Sequence, residues 1–159
     1  MNDTRSISDV FQNDHNRLDA LFQSFQALKH ENVAKAKETF AQFKSGLERH
    51  IRWEEEVLFP LWEEKTGMSD GGPTFVMRHE HRRIEEQLQA IDRSLTENNA
   101  DDAQSEQTLL ALLAAHNIKE ERVLYPSLDH VTTPEECRDI FMKIQELPED
   151  HCKPSAGSL

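Results

Sequence analysis

Four residues return along this chain at a fixed offset of 66: His15, His50, Glu54 and Pro60 come back as His81, His116, Glu120 and Pro126. Thirty-five positions separate the first two histidines in each half, each half then runs His-x-x-x-Glu, and proline follows that Glu by six. The flanks agree as well. Asp14-His15-Asn16-Arg17-Leu18 matches Glu80-His81-Arg82-Arg83-Ile84, and Glu54-Glu55-Glu56-Val57-Leu58-Phe59-Pro60 matches Glu120-Glu121-Arg122-Val123-Leu124-Tyr125-Pro126. A duplicated unit of this length, carrying two His and one Glu, is expected to be a helical hairpin.

Apolar residues recur in steps of three and four, and the conserved-in-kind polar residues fall within that rhythm. The first stripe is Ile7, Phe11, Leu18, Phe22, Phe25 and Leu28, with His15 between Phe11 and Leu18. The second is Phe40, Phe43, Leu47, His50, Glu54, Val57 and Leu61; the third is Met77, His81, Ile84, Leu88, Ile91 and Leu95. The fourth is Leu109, Leu112 or Leu113, His116, Glu120 and Val123. Breakers separate them at Lys29 to Asn32, Thr66 to Pro73 and Glu97 to Asp102. Five glycines and six prolines in 159 residues leave little room for hairpin turns. The expected fold is therefore all-α, an up-down-up-down four-helix bundle joined by short connections. A short fifth helix from about Glu135 to Leu147 would cap it with Cys137, Ile140, Phe141, Ile144 and Leu147. Residues 1–150 read as one domain and 151–159 as a flexible tail.

The helix rise places the polar residues at one height. From the loop near Glu31, His15 lies about 16 residues back and His50 about 19 forward, so both stand roughly 24–29 Å from that end at ~1.5 Å per residue. His81 and His116 are likewise about 18 and 17 residues from the loop near Asn99. Glu54 and Glu120 lie one turn further on. Four imidazoles and two carboxylates in one dry layer point to metal. A buried unpaired carboxylate costs several kcal/mol, and no Lys or Arg occupies the neighbouring stripe positions. Imidazole and carboxylate without thiolate suit iron or manganese, with each metal taking two histidines while the carboxylates bridge.

Charge and length narrow the partners. A formal charge of −12 disfavours nucleic acid and anionic membranes as partners. The longest wholly apolar stretch, Leu109 to Ala115, is too short to span a bilayer. The residues after Met1 lack an apolar run, so no signal peptide is expected, and two cysteines, Cys137 and Cys152, suit a reducing compartment. A cytoplasmic protein is expected. Cys152 beside Lys153 is a candidate reactive thiol. Glu55, Glu56 and Glu121 leave the stripe and are expected to face solvent, and Trp53, Trp62, Phe59 and Tyr125 to pack, a hydrogen bond or electron donated by Tyr125 near the centre being the lesser alternative. Pro60 and Pro126 are expected to kink or end their helices. His79, about 200° around the helix from His81, should face away unless the helix start is distorted. Surface roles are expected for His30, His130 and His151.

The motifs His50-Ile51-Arg52-Trp53-Glu54-Glu55 and His116-Asn117-Ile118-Lys119-Glu120-Glu121, each running on to Phe-Pro or Tyr-Pro, resemble the hemerythrin-like HHE cation-binding domain. The resemblance covers roughly Ser8 to His130. It implies a non-haem di-iron centre held by His15, His50, Glu54, His81, His116 and Glu120, bridged by carboxylate and solvent, with manganese or zinc the lesser alternatives. Oxygen carriers of this family have a fifth histidine four positions before the one matching His81; Met77 stands there. The pattern is closer to hemerythrin-like proteins that repair iron centres after nitrosative damage, although the Cys-bearing N-terminal domain often joined to those is not expected here. Three functions follow as expectations: binding or sensing oxygen, nitric oxide or peroxide; a di-iron enzyme or iron donor working with an unidentified redox partner; or iron storage.

Overall fold

The computed structural model describes residues 5–98 and 102–147. Among these the regular structure is helical throughout: α1 (Ile7–Leu28), α2 (Val33–Trp53), α3 (Phe59–Thr66), α4 (Pro73–Thr96), α5 (Ala103–Lys119), α6 (Tyr125–Val131) and α7 (Pro134–Glu146). Two π turns, Glu54–Leu58 and Glu120–Leu124, join α2 to α3 and α5 to α6 without a break. No helix among the described residues is long and apolar enough to cross a membrane.

Local chemistry sets the helix ends. Ser6 and Asp9 form a capping box on α1, Thr133 and Glu136 form another on α7, and Asn32 and Asp102 cap α2 and α5. Asp129 of α6 reinforces the start of α1, accepting from the Ile7 and Ser8 amides at 2.8 and 3.3 Å. Gly67 ends α3 in the left-handed region at φ 73°, which a side chain would disfavour.

Two apolar clusters enclose the polar layer. One gathers Leu18, Phe22, Phe25, Phe40, Phe43, Leu47, Ile84, Leu88, Ile91, Leu95 and Leu109 toward the α1–α2 turn. The other gathers Ile7, Phe11, Leu58, Phe59, Trp62, Met77, Leu124, Tyr125 and Leu128. Helix α7 covers the second with Ile140 and Ile144, assisted by Cys137 and Phe141, as its amphipathic face predicts. Lys29 pairs with the buried Glu106 at 2.8 Å and ties the far end of α1 to α5.

Past the Glu of each repeat the predicted stripe is displaced. Leu58 and Trp62 are buried where Val57 and Leu61 were expected, and Leu124 is buried while Val123 is 59% exposed. The π turns are the cause. His50, Glu54, Leu58 and Trp62 follow one another in steps of four, as do His116, Glu120, Leu124 and Leu128. An uninterrupted α-helix would carry such a series off its face by about 40° per step, and a wider turn winds it back.

The same turns explain why the helical run continues past Pro60 and Pro126, which enter in the first turn of α3 and α6. The Phe59 and Tyr125 amides bond five residues back, to Glu54 and Glu120, so the hydrogen-bond ladder has already changed register where the ring enters. The remaining expectations concerning Cys152, His151 and the tail lie outside the described residues.

Phe22 is 1% exposed and packs against Phe25 and Phe43 at ring distances of 5.5 and 4.9 Å. Phe22→Ala should cost about 3–5 kcal/mol in urea unfolding of the chelator-treated protein, and a loss below 1 kcal/mol would show that this end of the bundle relaxes freely.

Candidate metal centre

Helices α1, α2, α4 and α5 each direct one imidazole into the layer between the apolar clusters, and the two π turns each begin on a carboxylate. His15, His50, His81 and His116 are at most 3% exposed, and Glu54 and Glu120 are wholly buried. The six side chains singled out from the repeat therefore meet. Their donor atoms fall into two sets, Glu54, His81, His116 and Glu120, and His15, His50 and Glu120, each spanning no more than 4.8 Å. Glu120 belongs to both.

Every one of the four imidazoles is aimed by a carboxylate on its outer nitrogen. His50 Nδ1 lies 2.8 Å from Asp14, His116 Nδ1 2.8 Å from Glu80, His15 Nδ1 2.8 Å from Glu121 and His81 Nδ1 2.6 Å from Glu55. These partners obey the repeat. Asp14 and Glu80, each just before a histidine of its own hairpin, hold the second histidine of that hairpin. Glu55 and Glu121, each just after the buried Glu, reach across to the other hairpin. Glu55 and Glu121 are thus not merely solvated, contrary to expectation, because the π turn brings them beside the opposite helix; Glu56 alone of that trio behaves as predicted, at 51% exposure. His79, His30 and His130 are exposed, as expected.

The outer carboxylates in turn meet surface groups. Arg17 bonds Asp14 at 2.9 Å, Arg82 pairs with Glu55, Lys119 with Glu80, and Gln12 donates to Glu121 at 2.9 Å. Six carboxylates therefore surround four imidazoles, with three of these partners cationic. The residual negative charge must be met at the centre, by protons or by a bound cation.

Protonation follows from this imbalance. Burial alone would push His15 down, but Glu120, Glu54 and Glu121 beside it raise it from 6.5 to about 9. Burial likewise opposes His81, while Glu54 and Glu55 raise it to about 10. Burial and the neighbouring Glu120 charge push Glu54 up. Glu120 goes the other way: although burial disfavours its charge, His116 and the other imidazoles hold it well below the usual carboxylate range.

Donor geometry supplies a separate test of fit. Glu54 Oε1, Glu120 Oε2 and His81 Nε2 are buried without a hydrogen-bond partner. Native interiors seldom tolerate such atoms. His81 Nε2 lies 3.3 Å from Glu54 Oε1, His116 Nε2 3.2 Å and His15 Nε2 3.3 Å from Glu120 Oε1. Ligands at right angles on a first-row metal, each about 2.1 Å from it, stand about 3.0 Å apart. The residues present fit a metal.

Tyr125 also enters this layer, beyond the packing role expected for it. It is fully buried, and its hydroxyl donates to Glu54 Oε2 at 2.8 Å and lies 3.1 Å from Glu120 Oε1. The repeat-related residue, Phe59, stacks on His81 with ring centres 5.7 Å apart and planes 9° from parallel. Phe11 meets His50 edge-on at 5.3 Å. The signal for the missed residues lay in the repeat flanks, which match Asp14 with Glu80, Glu55 with Glu121 and Phe59 with Tyr125.

These features define a buried His/Glu site between two like hairpins. The sequence matches the hemerythrin HHE cation binding domain over residues 6–128 and again over 73–152, so the chain belongs to that family. The second match starts close to one repeat length after the first, as duplication requires. A DNA nickase of Nostoc sp. (strain PCC 7120 / SAG 25.82 / UTEX 2576) is 34% identical over 92 residues, 58% of this chain and 26% of the relative. The iron-sulfur cluster repair protein YtfE of Edwardsiella ictaluri (strain 93-146) is 46% identical over 55 residues, 35% of this chain and 24% of the relative. The matched segments thus span about a quarter of each relative. No solved structure matches.

The raised histidines bind protons in the folded state that the unfolded chain gives up near pH 6.5. Their contribution to stability is complete below that pH and is lost as pH rises through about 9 and 10. Thermal melts of chelator-treated protein should therefore show a melting temperature that falls between pH 7 and 10. A flat profile would contradict this protonation pattern.

Proposed function

We propose that the chain is a non-haem di-iron protein of up-down-up-down bundle topology that binds or senses a small ligand, oxygen, nitric oxide or peroxide, in the cytoplasm. In this reading His15 and His50 would hold one iron and His81 and His116 the other, with Glu120 serving both and Glu54 joining the His81 and His116 set. The observation that carries it is the pair of buried donor sets sharing Glu120. Their nitrogen and carboxylate donors suit iron; manganese or zinc is the poorer fit. Such a metal pair, when bound, supplies a redox couple and open positions for a small ligand.

The chain's own residues set the conditions for that chemistry. Apolar clusters on both sides of the layer exclude water. The outer carboxylates orient the imidazoles and raise their basicity toward a metal. Before a metal binds, the Tyr125 hydroxyl is protonated and bonded to Glu54, because burial followed by the Glu120 and Glu54 charges holds its pKa well above the ordinary phenol value.

A groove between α1 and α5, lined by Asn16, Asp19, Ala114, Ile118 and Glu121, reaches the carboxylate that holds His15. The repeat-related groove between α2 and α4 carries Arg82, Glu85, Glu48 and Arg52 at the matching positions of the first four. The less charged groove suits the approach of a small neutral molecule. This contrast favours a diatomic ligand over an ionic substrate.

A second reading, iron donation to damaged centres, is supported by the 46% identity over 55 residues to a protein named for iron-sulfur cluster repair. Net loss of iron to an apo-cluster acceptor would favour it, whereas reversible spectral change on adding and removing gas, with no product, favours ligand binding.

Elemental analysis with Mössbauer spectroscopy on anaerobically purified protein should find two coupled irons per chain; a single zinc would end the di-iron reading. Glu120→Ala should abolish the coupling between the metals, and unchanged coupling would remove Glu120 as the shared ligand. Glu80→Gln keeps the shape but not the charge on His116, and should weaken metal binding about 10–100-fold in a competition titration. Wild-type affinity in that variant would make Glu80 dispensable.

A further inference from the structure

The two donor sets are unequal. The His81 and His116 set has four members, whereas the His15 and His50 set has three. Tyr125 stands at the shorter one: its oxygen lies 3.3 Å from His15 Nε2, 3.2 Å from His50 Nε2 and 3.1 Å from Glu120 Oε1. Those atoms belong to the three residues of that set. The separations match the spacing of about 3.0 Å between neighbouring ligands on one metal at about 2.1 Å. An oxygen whose task was only to bond Glu54 would not need to be equidistant from both imidazole nitrogens.

We propose that Tyr125 is a seventh metal ligand, its phenolate oxygen completing a four-donor set with His15, His50 and Glu120. This deepens the di-iron reading and rests on it. On coordination the phenol O–H bond breaks, the oxygen lone pair goes to the metal and the proton is released to solvent; no electron is transferred. Proton release of this kind accompanies binding of any metal by protonated ligands. A hard phenolate oxygen favours the ferric over the ferrous state, so the iron beside His15 and His50 becomes the more readily oxidised of the two. The matching position in the other hairpin is Phe59, which has no oxygen to offer. Duplication alone would have made two like metal sites, and this one pair of residues makes them chemically different.

The test is optical. Wild-type protein is loaded anaerobically with ferrous iron, oxidised in air, and its iron content measured. Visible absorption and resonance Raman spectra excited in the visible are then recorded. A tyrosinate-to-iron charge-transfer band with enhanced phenolate ring modes is expected, and Tyr125→Phe should lose both when its spectra are normalised to its measured iron content. Circular dichroism of Tyr125→Phe against wild type checks that the helical fold is kept. Two irons without the band, or a band that survives in Tyr125→Phe, would overturn the assignment and leave the di-iron reading intact. Wild-type protein that takes up no iron would overturn both.

Discussion

Two fully buried carboxylates, Glu54 and Glu120, face each other across the interface of the duplicated hairpins, and everything around them answers the cost of burying that charge. A hydrophobic bundle could close without them. With them, four imidazoles must approach from four helices, each imidazole needs an outer carboxylate to orient it, and the outer carboxylates need surface partners. Charge therefore alternates outward from the centre in shells. Three donor atoms at the middle remain without a hydrogen bond even so. The arrangement makes best sense as one completed by a cation.

The apolar clusters share the work of folding unequally with this layer. The cluster toward the α1–α2 turn is rich in Phe, Leu and Ile and joins residues of both hairpins. The second cluster is closed by α7 and wraps the π turns and Tyr125. It is the side on which the repeats differ: a phenol hydroxyl meets His15 and His50, whereas a phenyl ring stacks on His81. Near-symmetry builds the site, and the departure from symmetry gives its two halves distinct chemistry.

Membership in the hemerythrin HHE family is carried by the match over most of the chain. The two named relatives align over only a quarter of their own lengths, so their activities bear on this protein as suggestions. The grooves carry the same lesson at the surface. The same backbone positions line both, yet one has Arg82, Glu48 and Arg52 where the other has Asn16, Ala114 and Ile118. A duplicated fold has kept its inner residues and diversified its approaches.

Periodicity and the 66-residue offset were enough to identify the helices, their breaks, the capping α7 and the six inward side chains, because each of those depends on spacing along one chain segment. What escaped such reading depends on contacts between segments or on a local change of helical pitch. A period of 3.6 assigns Val123 to the core, but the π turn puts Leu124 there instead. It assigns Glu55 and Glu121 to solvent, whereas packing of the two hairpins sets them against His81 and His15. It cannot distinguish Tyr125 from Phe59, since both are aromatic residues before a proline. Only when four helices converge does one hydroxyl fall among two carboxylates and two imidazoles. Residue spacing encodes which side chains point inward; distances between separate helices, which no linear pattern contains, settle which of them meet.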